Sequence, residues 1–97
     1  MANKIKIKPG QPVALKLMPD EREILLDELL FVDRELERKI QLVLAGANEV
    51  QLTLDDLEDL AGCVAAEANH TKDRKLGKKL DRIFVRIEGL LRLFEEG

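Results

Sequence analysis

The sequence predicts a mainly α domain, a small bundle of three or four helices with a short β-hairpin at the N-terminus. Over most of residues 19–97, apolar side chains recur at steps of three and four, the period of a helix with one buried side. Residues 4–17 instead alternate apolar and polar side chains, the period of a strand. Ninety-seven residues suit one core. We therefore expect a single domain, with a hairpin or extended arm over 1–18 and a helical part over 19–97.

The predicted hairpin is centred on the segment Pro9-Gly10-Gln11-Pro12, where proline fixes φ and glycine accepts a positive φ. Two strands alone are marginal in water, so the hairpin must pack on the helices or pair with a second copy of the chain. Its apolar positions are Ile5, Ile7, Val13, Leu15 and Leu17.

Pro19 and the acids after it predict the start of helix 1, since proline suits the first turn and acids favour the positive end of the helix dipole. We expect this helix to run to about Phe31. Asp33 could then cap a second helix over 34–45, but the apolar spacing also suits one unbroken helix. Gly46 is typical of a helix end.

Helix 3 is predicted over about 54–69 from the segment Leu52-Thr53-Leu54-Asp55-Asp56-Leu57. Thr53 and Asp56 have the spacing of a capping box, and Leu52 and Leu57 that of a hydrophobic staple. Helix 4 is predicted over about 72–96, with one side buried along its whole length.

The charges are divided along the chain, although the net charge is only −3. Four lysines and no acids lie in residues 1–16, whereas residues 20–67 hold fourteen acids against four basic side chains. Residues 72–97 are again basic. This pattern favours basic ends that fold back on an acidic middle, within one chain or between two.

Composition excludes several classes of function. With three aromatic residues and neither Trp nor Tyr, stacking platforms for bases are hard to build. The single cysteine, Cys63, cannot form an internal disulfide, and no signal peptide or long apolar stretch is visible. We therefore expect a cytoplasmic protein with no membrane contact. Since the sequence has no serine and no glycine-rich phosphate loop, we expect neither an enzyme nor a cofactor.

The segment from Leu17 to Leu25 carries a Leu-x-Pro-x-Glu-Arg-Glu run. It resembles the opening of the helix-turn-helix of some bacterial response regulators. The resemblance covers about nine residues, and no counterpart of that family's later helices follows Phe31. We interpret it as a shared helix start.

A polar stripe on helix 3 includes Cys63, Glu67 and His70, residue types that bind metals at one-turn spacing. Glu67 and His70 also have the Glu-x-x-His spacing of dimetal bundles. The stripe points away from the apolar face, however, so a solvated polar face is the favoured interpretation and no metal is expected.

A basic row on helix 4 could follow the phosphates of a duplex. It lies beside the apolar face and has no amide or hydroxyl side chains to read bases, so we expect its cations to pair with acids of helix 3 instead. The row is Lys72, Lys75, Lys79, Arg82 and Arg86, and the candidate acids are Asp55, Asp56, Asp59 and Glu67.

The function expected from the sequence is therefore a non-enzymatic protein–protein interaction or self-association module, with a homodimer favoured. A small nucleic-acid-binding regulator and a metal-binding helical protein are the alternatives. The residues predicted for self-association are Ile5, Ile7, Val13, Leu15 and Leu17 of the hairpin, with Leu26 and Leu30 of helix 1.

Overall fold

The computed structural model describes residues 4–27, 34–44 and 46–97. Over these ranges the protein is mainly α, as predicted, with two small two-stranded sheets. In chain order the elements are β1 (Ile5–Ile7), β2 (Val13–Lys16), α1 (Pro19–Asp27), α2 (Arg34–Leu44), β3 (Glu49–Leu52), α3 (Leu54–His70), α4 (Arg74–Leu93) and β4 (Phe94–Glu96).

The N-terminal strands form where the sequence predicts them, but the hairpin is not confirmed. β1 pairs in parallel with β4, so that Ile5 lies opposite Phe94. β2 pairs antiparallel with β3, which places Val13 opposite Leu52 and Leu15 opposite Val50. All four of these β2 and β3 side chains are buried. Pairing with β3 gives β2 two buried apolar cross-strand pairs. β1 would be a poorer partner for β2, because it has only one buried side chain, Ile7.

The turn after β1 gives a local reason for the separation of the two strands. The Gln11 N–H donates to the Lys8 carbonyl at 2.9 Å, and Gly10 has a φ of +77°. Proline second and a positive-φ glycine third are typical of a type II turn. Because the twist of this turn splays the strands it joins, β1 and β2 diverge toward different partners.

The core lies between the β2–β3 sheet and the helices. α3 and α4 pack along each other, and α1 lies against both α2 and α4. Fully buried leucine and isoleucine side chains come from almost every element, namely Leu15, Leu25, Leu36, Ile40, Leu52, Leu57, Leu60, Leu80, Ile83 and Ile87. One continuous apolar core therefore holds the described elements together.

Side-chain caps define where α3 and α4 begin. The Asp56 N–H donates to Thr53 Oγ1 at 3.1 Å, and the Thr53 N–H donates to Asp56 Oδ2 at 3.3 Å, so the predicted capping box is confirmed. α4 begins at Arg74, two residues later than predicted, because Asp73 accepts from the N–H groups of Lys75 and Leu76.

The last residues of the chain differ from the prediction. The sequence predicts that helix 4 reaches residue 96, but the helix ends at Leu93, and Phe94 takes an extended conformation with φ of −114° and ψ of 149°. Residues 94–96 instead find backbone partners in β1. The predicted end of helix 1, the Asp33 cap and the continuity of helices 1 and 2 lie outside the described residues.

Candidate interaction surface

The most buried charge in the described chain belongs to Glu21, in the first turn of α1. Its Oε1 accepts from the Met18 N–H at 2.8 Å and from the guanidinium of Arg86. Its Oε2 has no hydrogen-bond partner among the described groups, and Arg82 Nε is 3.8 Å away. Glu21 therefore caps the start of α1 and joins that helix to α4.

Asp20 extends this ionic contact toward the solvent. Lys79 Nζ and Arg82 Nη2 lie 3.4 Å and 3.3 Å from Asp20 Oδ2. Desolvation opposes ionisation, but the hydrogen bond and charge of Lys79, the Glu21 N–H and the charge of Arg82 outweigh it and lower the pKa of Asp20. Asp20 is thus held as a carboxylate between two cations.

α4 carries the predicted basic row, but the prediction that its cations pair with acids of helix 3 is wrong for three of its five residues. Lys79, Arg82 and Arg86 pair with acids of α1, not with acids of α3. The reason is positional, since α1 lies along the side of α4 that carries the row. Lys72 and Lys75 are exposed. Much of the charge that could contact phosphates is therefore engaged by carboxylates.

One predicted acid of α3 pairs with another helix altogether. Lys39 Nζ of α2 lies 2.9 Å from Asp56 Oδ2. Burial opposes ionisation of Asp56, but the Lys39 bond, the Thr53 backbone and hydroxyl bonds, and the Lys39 charge together lower its pKa. Asp56 therefore serves both as a capping residue of α3 and as a link to α2.

The residues predicted for self-association mostly belong to the core of the chain. Leu15 is fully buried, and Ile7, Val13 and Leu17 are at most 9% exposed. Ile5 is 50% exposed, Leu26 is partly buried against the core, and Leu30 lies outside the described residues. Because side chains alternate along a strand, the apolar side of this pattern packs into the core of the chain itself.

The candidate metal residues lie along one stripe of α3. Cys63 and Glu67 are partly buried and His70 is exposed. Among the described residues, no group of three His, Cys, Asp or Glu side chains could hold a metal ion.

An open surface that the sequence analysis missed lies between α3 and α4. We name it the α3–α4 groove, and its volume is about 490 Å³. Its floor is apolar: α3 contributes small residues, and α4 contributes two large, half-buried side chains. The residues around its rim are charged. The floor consists of Ala61, Gly62, Ala65, Phe84 and Leu91, and the rim of Glu58, Glu88 and Arg92.

Beside this groove, α4 presents a second, largely exposed strip, which we name the α4 outer face and define as Asp81, Val85, Glu88, Gly89 and Arg92. Val85 is 68% exposed in the middle of the helix. A Cβ added at Gly89 would meet no described atom within 4 Å. In the sequence, this face is indicated only by Val85, an apolar residue that does not fit the three- and four-residue spacing of the core positions of α4.

Comparison with protein-family models, with curated proteins and with solved structures gives no match to this chain. Within the described ranges, none of the helices is long and apolar enough to cross a membrane.

Proposed function

We propose that this protein is a non-enzymatic interaction module that self-associates through the α3–α4 groove and the adjacent α4 outer face. The observation that carries the proposal is the exposure of Val85 beside the groove. Val85 is 68% exposed at mid-helix, so most of its surface is not buried by its own chain. Burying it together with the apolar floor of the groove against a second copy would contribute about 25 cal/mol for each Å² of apolar surface removed from water.

The composition of the groove supports contact with another helix. On the α3 side, Gly62 is exposed and an added Cβ there would meet no described atom within 4 Å. Ala61 and Ala65 continue this low surface along α3. Small residues let two helices approach closely, while Phe84 and Leu91 supply the larger apolar contacts. The charged rim would remain hydrated around such a contact, as is usual for protein interfaces.

A self-associating module is favoured over the nucleic-acid-binding alternative by the pairing of the basic row. Lys79, Arg82 and Arg86 contact Asp20 and Glu21, so phosphate contacts would have to displace ion pairs already formed. The proposal includes a cytoplasmic location, supported by the single cysteine and the lack of any internal disulfide in the sequence.

The test is the mass of the protein in solution, measured by light scattering after size exclusion and by sedimentation velocity over a wide range of concentration. We expect the mass to rise from one chain to two as concentration increases. Val85→Asp should shift the transition at least tenfold toward higher concentration, since a buried charge in the contact costs more than about 1.4 kcal/mol.

Val43→Asp is the control, because Val43 is also an exposed valine on a helix, α2, and does not line the groove. This variant should associate as the wild type does. Far-UV circular dichroism should show unchanged helix content in both variants. A wild type that stays monomeric at every concentration would refute the proposal, and equal effects of the two substitutions would refute the assignment of the surface.

A further inference from the structure

The α4 outer face has a charge order that complements itself when the helix is turned end for end. Asp81, Val85, Glu88 and Arg92 follow each other at steps of four, three and four residues, so they lie along one side of the helix. Asp81 and Arg92 are exposed at the two ends of this strip and have opposite charges. In an antiparallel pair of such helices, each end meets its opposite charge.

We propose, on the basis of the proposed self-association, that the partner is a second copy whose α4 lies antiparallel across this face, with a twofold axis between Arg86 and Ile87. This axis places Asp81 opposite the partner's Arg92, and the symmetry repeats that ion pair. The same axis brings Val85 opposite the partner's Glu88 and next to the partner's Gly89.

Gly89 fits this arrangement sterically. The space where its Cβ would lie is open, and the residue is exposed within the regular helix α4. Two helices in contact lie about 8–10 Å apart, and a glycine at the contact favours the short end of that range. Val85 of each copy then packs on the backbone left uncovered by the partner's Gly89.

Two other orientations of the same two faces are electrostatically poorer. A parallel, in-register pair of α4 helices would place Asp81 against the partner's Asp81 and Arg92 against the partner's Arg92. An antiparallel pair shifted by one turn toward the helix N-termini would place Asp81 against the partner's Glu88. Like charges directly across a contact are unfavourable, so the charge order favours the proposed register over these two.

Charge exchange tests the pairing directly. Asp81→Arg alone places arginine against arginine, and Arg92→Asp alone places aspartate against aspartate, so each variant should dimerise at least tenfold more weakly than the wild type. The double variant D81R/R92D restores opposite charges and should recover wild-type association. A mixture of the two single variants should form a heterodimer, because every pair across the axis is then attractive.

Lys75→Asp is the control for Arg92→Asp, since it makes the same charge change at an exposed position of α4 outside the outer face. It should leave association unchanged. Native mass spectrometry distinguishes the heterodimer from either homodimer when one variant is isotopically labelled. If the wild type dimerises but the mixture shows no preference for the heterodimer, this pairing is wrong while the proposed self-association stands; a monomeric wild type refutes both.

Discussion

Arg86 and Glu21 form an asymmetric ion pair, since the glutamate side chain is fully buried whereas the arginine side chain is 36% exposed. Arg86 also donates to the Lys16 carbonyl at 3.2 Å, so one guanidinium contacts α1 and the chain just before it. The two members of the pair therefore have different access to water once their partner is removed.

That asymmetry predicts unequal costs for removing each charge. Arg86→Met leaves the Glu21 carboxylate buried with Arg82 as its nearest cation, and we expect a loss of about 3 kcal/mol in the free energy of unfolding. Glu21→Met should cost less, because Arg86 can turn toward the solvent. The double variant E21M/R86M should be more stable than R86M alone.

Urea unfolding followed by circular dichroism measures these three free energies at low protein concentration. Lys75→Met, which neutralises an exposed lysine of α4, is the control and should change stability by less than about 0.5 kcal/mol. If Glu21→Met were as harmful as Arg86→Met, the asymmetry would not govern the energetics of this contact.

Arg86 also lies at the open edge of β2. The Leu17 N–H donates to the Asn48 carbonyl at 2.8 Å, which continues the β2–β3 register. Backbone hydrogen-bonding positions alternate along an antiparallel pair of strands. The backbone N–H and C=O groups of residues 13, 15 and 17 therefore point toward β3, whereas the Lys16 carbonyl points toward the opposite edge of β2. Arg86, a residue of α4, donates a hydrogen bond to that carbonyl. Covering an edge strand with a helix is one way in which proteins prevent unwanted strand pairing.

Two capped helix starts give a second prediction, because Thr53 and Asp73 each accept backbone N–H bonds at the first turn of a helix. Thr53→Ala and Asp73→Ala should each lower the free energy of unfolding by about 1 kcal/mol. Thr71→Ala is a suitable comparison, since Thr71 lies between the two helices and bonds only to the Asp73 N–H among the described side-chain contacts. A loss at Thr71 equal to that at Asp73 would contradict the capping assignment.

These capped starts show which features are visible in the sequence. The Thr53 box is local, with both partners three residues apart, so its spacing predicts it. Asp73 was missed because helix 4 was predicted to begin before it. The Glu21–Arg86 pair joins residues 65 positions apart, and the β1–β4 pairing joins the two ends of the described chain. Such contacts depend on tertiary packing, which period and spacing do not encode.

The lowered pKa of Asp20 and of Asp56 predicts loss of stability in acid. Both groups have an ordinary value of 3.8 in the unfolded chain, and the folded chain holds them below it. Their contribution is fully present above that value and is lost as the pH falls through it toward the folded values. Urea unfolding between neutral pH and pH about 3 should show this decline.

Lys39→Met should reduce the acid-dependent part of that decline, because the pKa of Asp56 then moves back toward its ordinary value. At neutral pH the same variant should lose no more than about 1 kcal/mol, since Lys39 is half exposed. Arg38→Met removes an exposed positive charge from the same helix and should leave the pH profile unchanged. An identical profile for wild type and Lys39→Met would exclude the Lys39–Asp56 pair as a source of acid sensitivity.

We expect replacement of glycine by alanine to change the free energy of unfolding in opposite directions at Gly10 and at the two helical glycines, Gly62 and Gly89. Gly10 has a φ of +77°, where a side chain is strained, so Gly10→Ala should lower the free energy of unfolding by about 1 kcal/mol. Gly62 and Gly89 lie within helices with open space around them, so alanine at either should stabilise the fold by about 0.5–1 kcal/mol. Urea unfolding at low protein concentration measures the stability of the monomer. Destabilisation by Gly62→Ala would contradict the open space in the α3–α4 groove, and destabilisation by Gly89→Ala would contradict the open space on the α4 outer face.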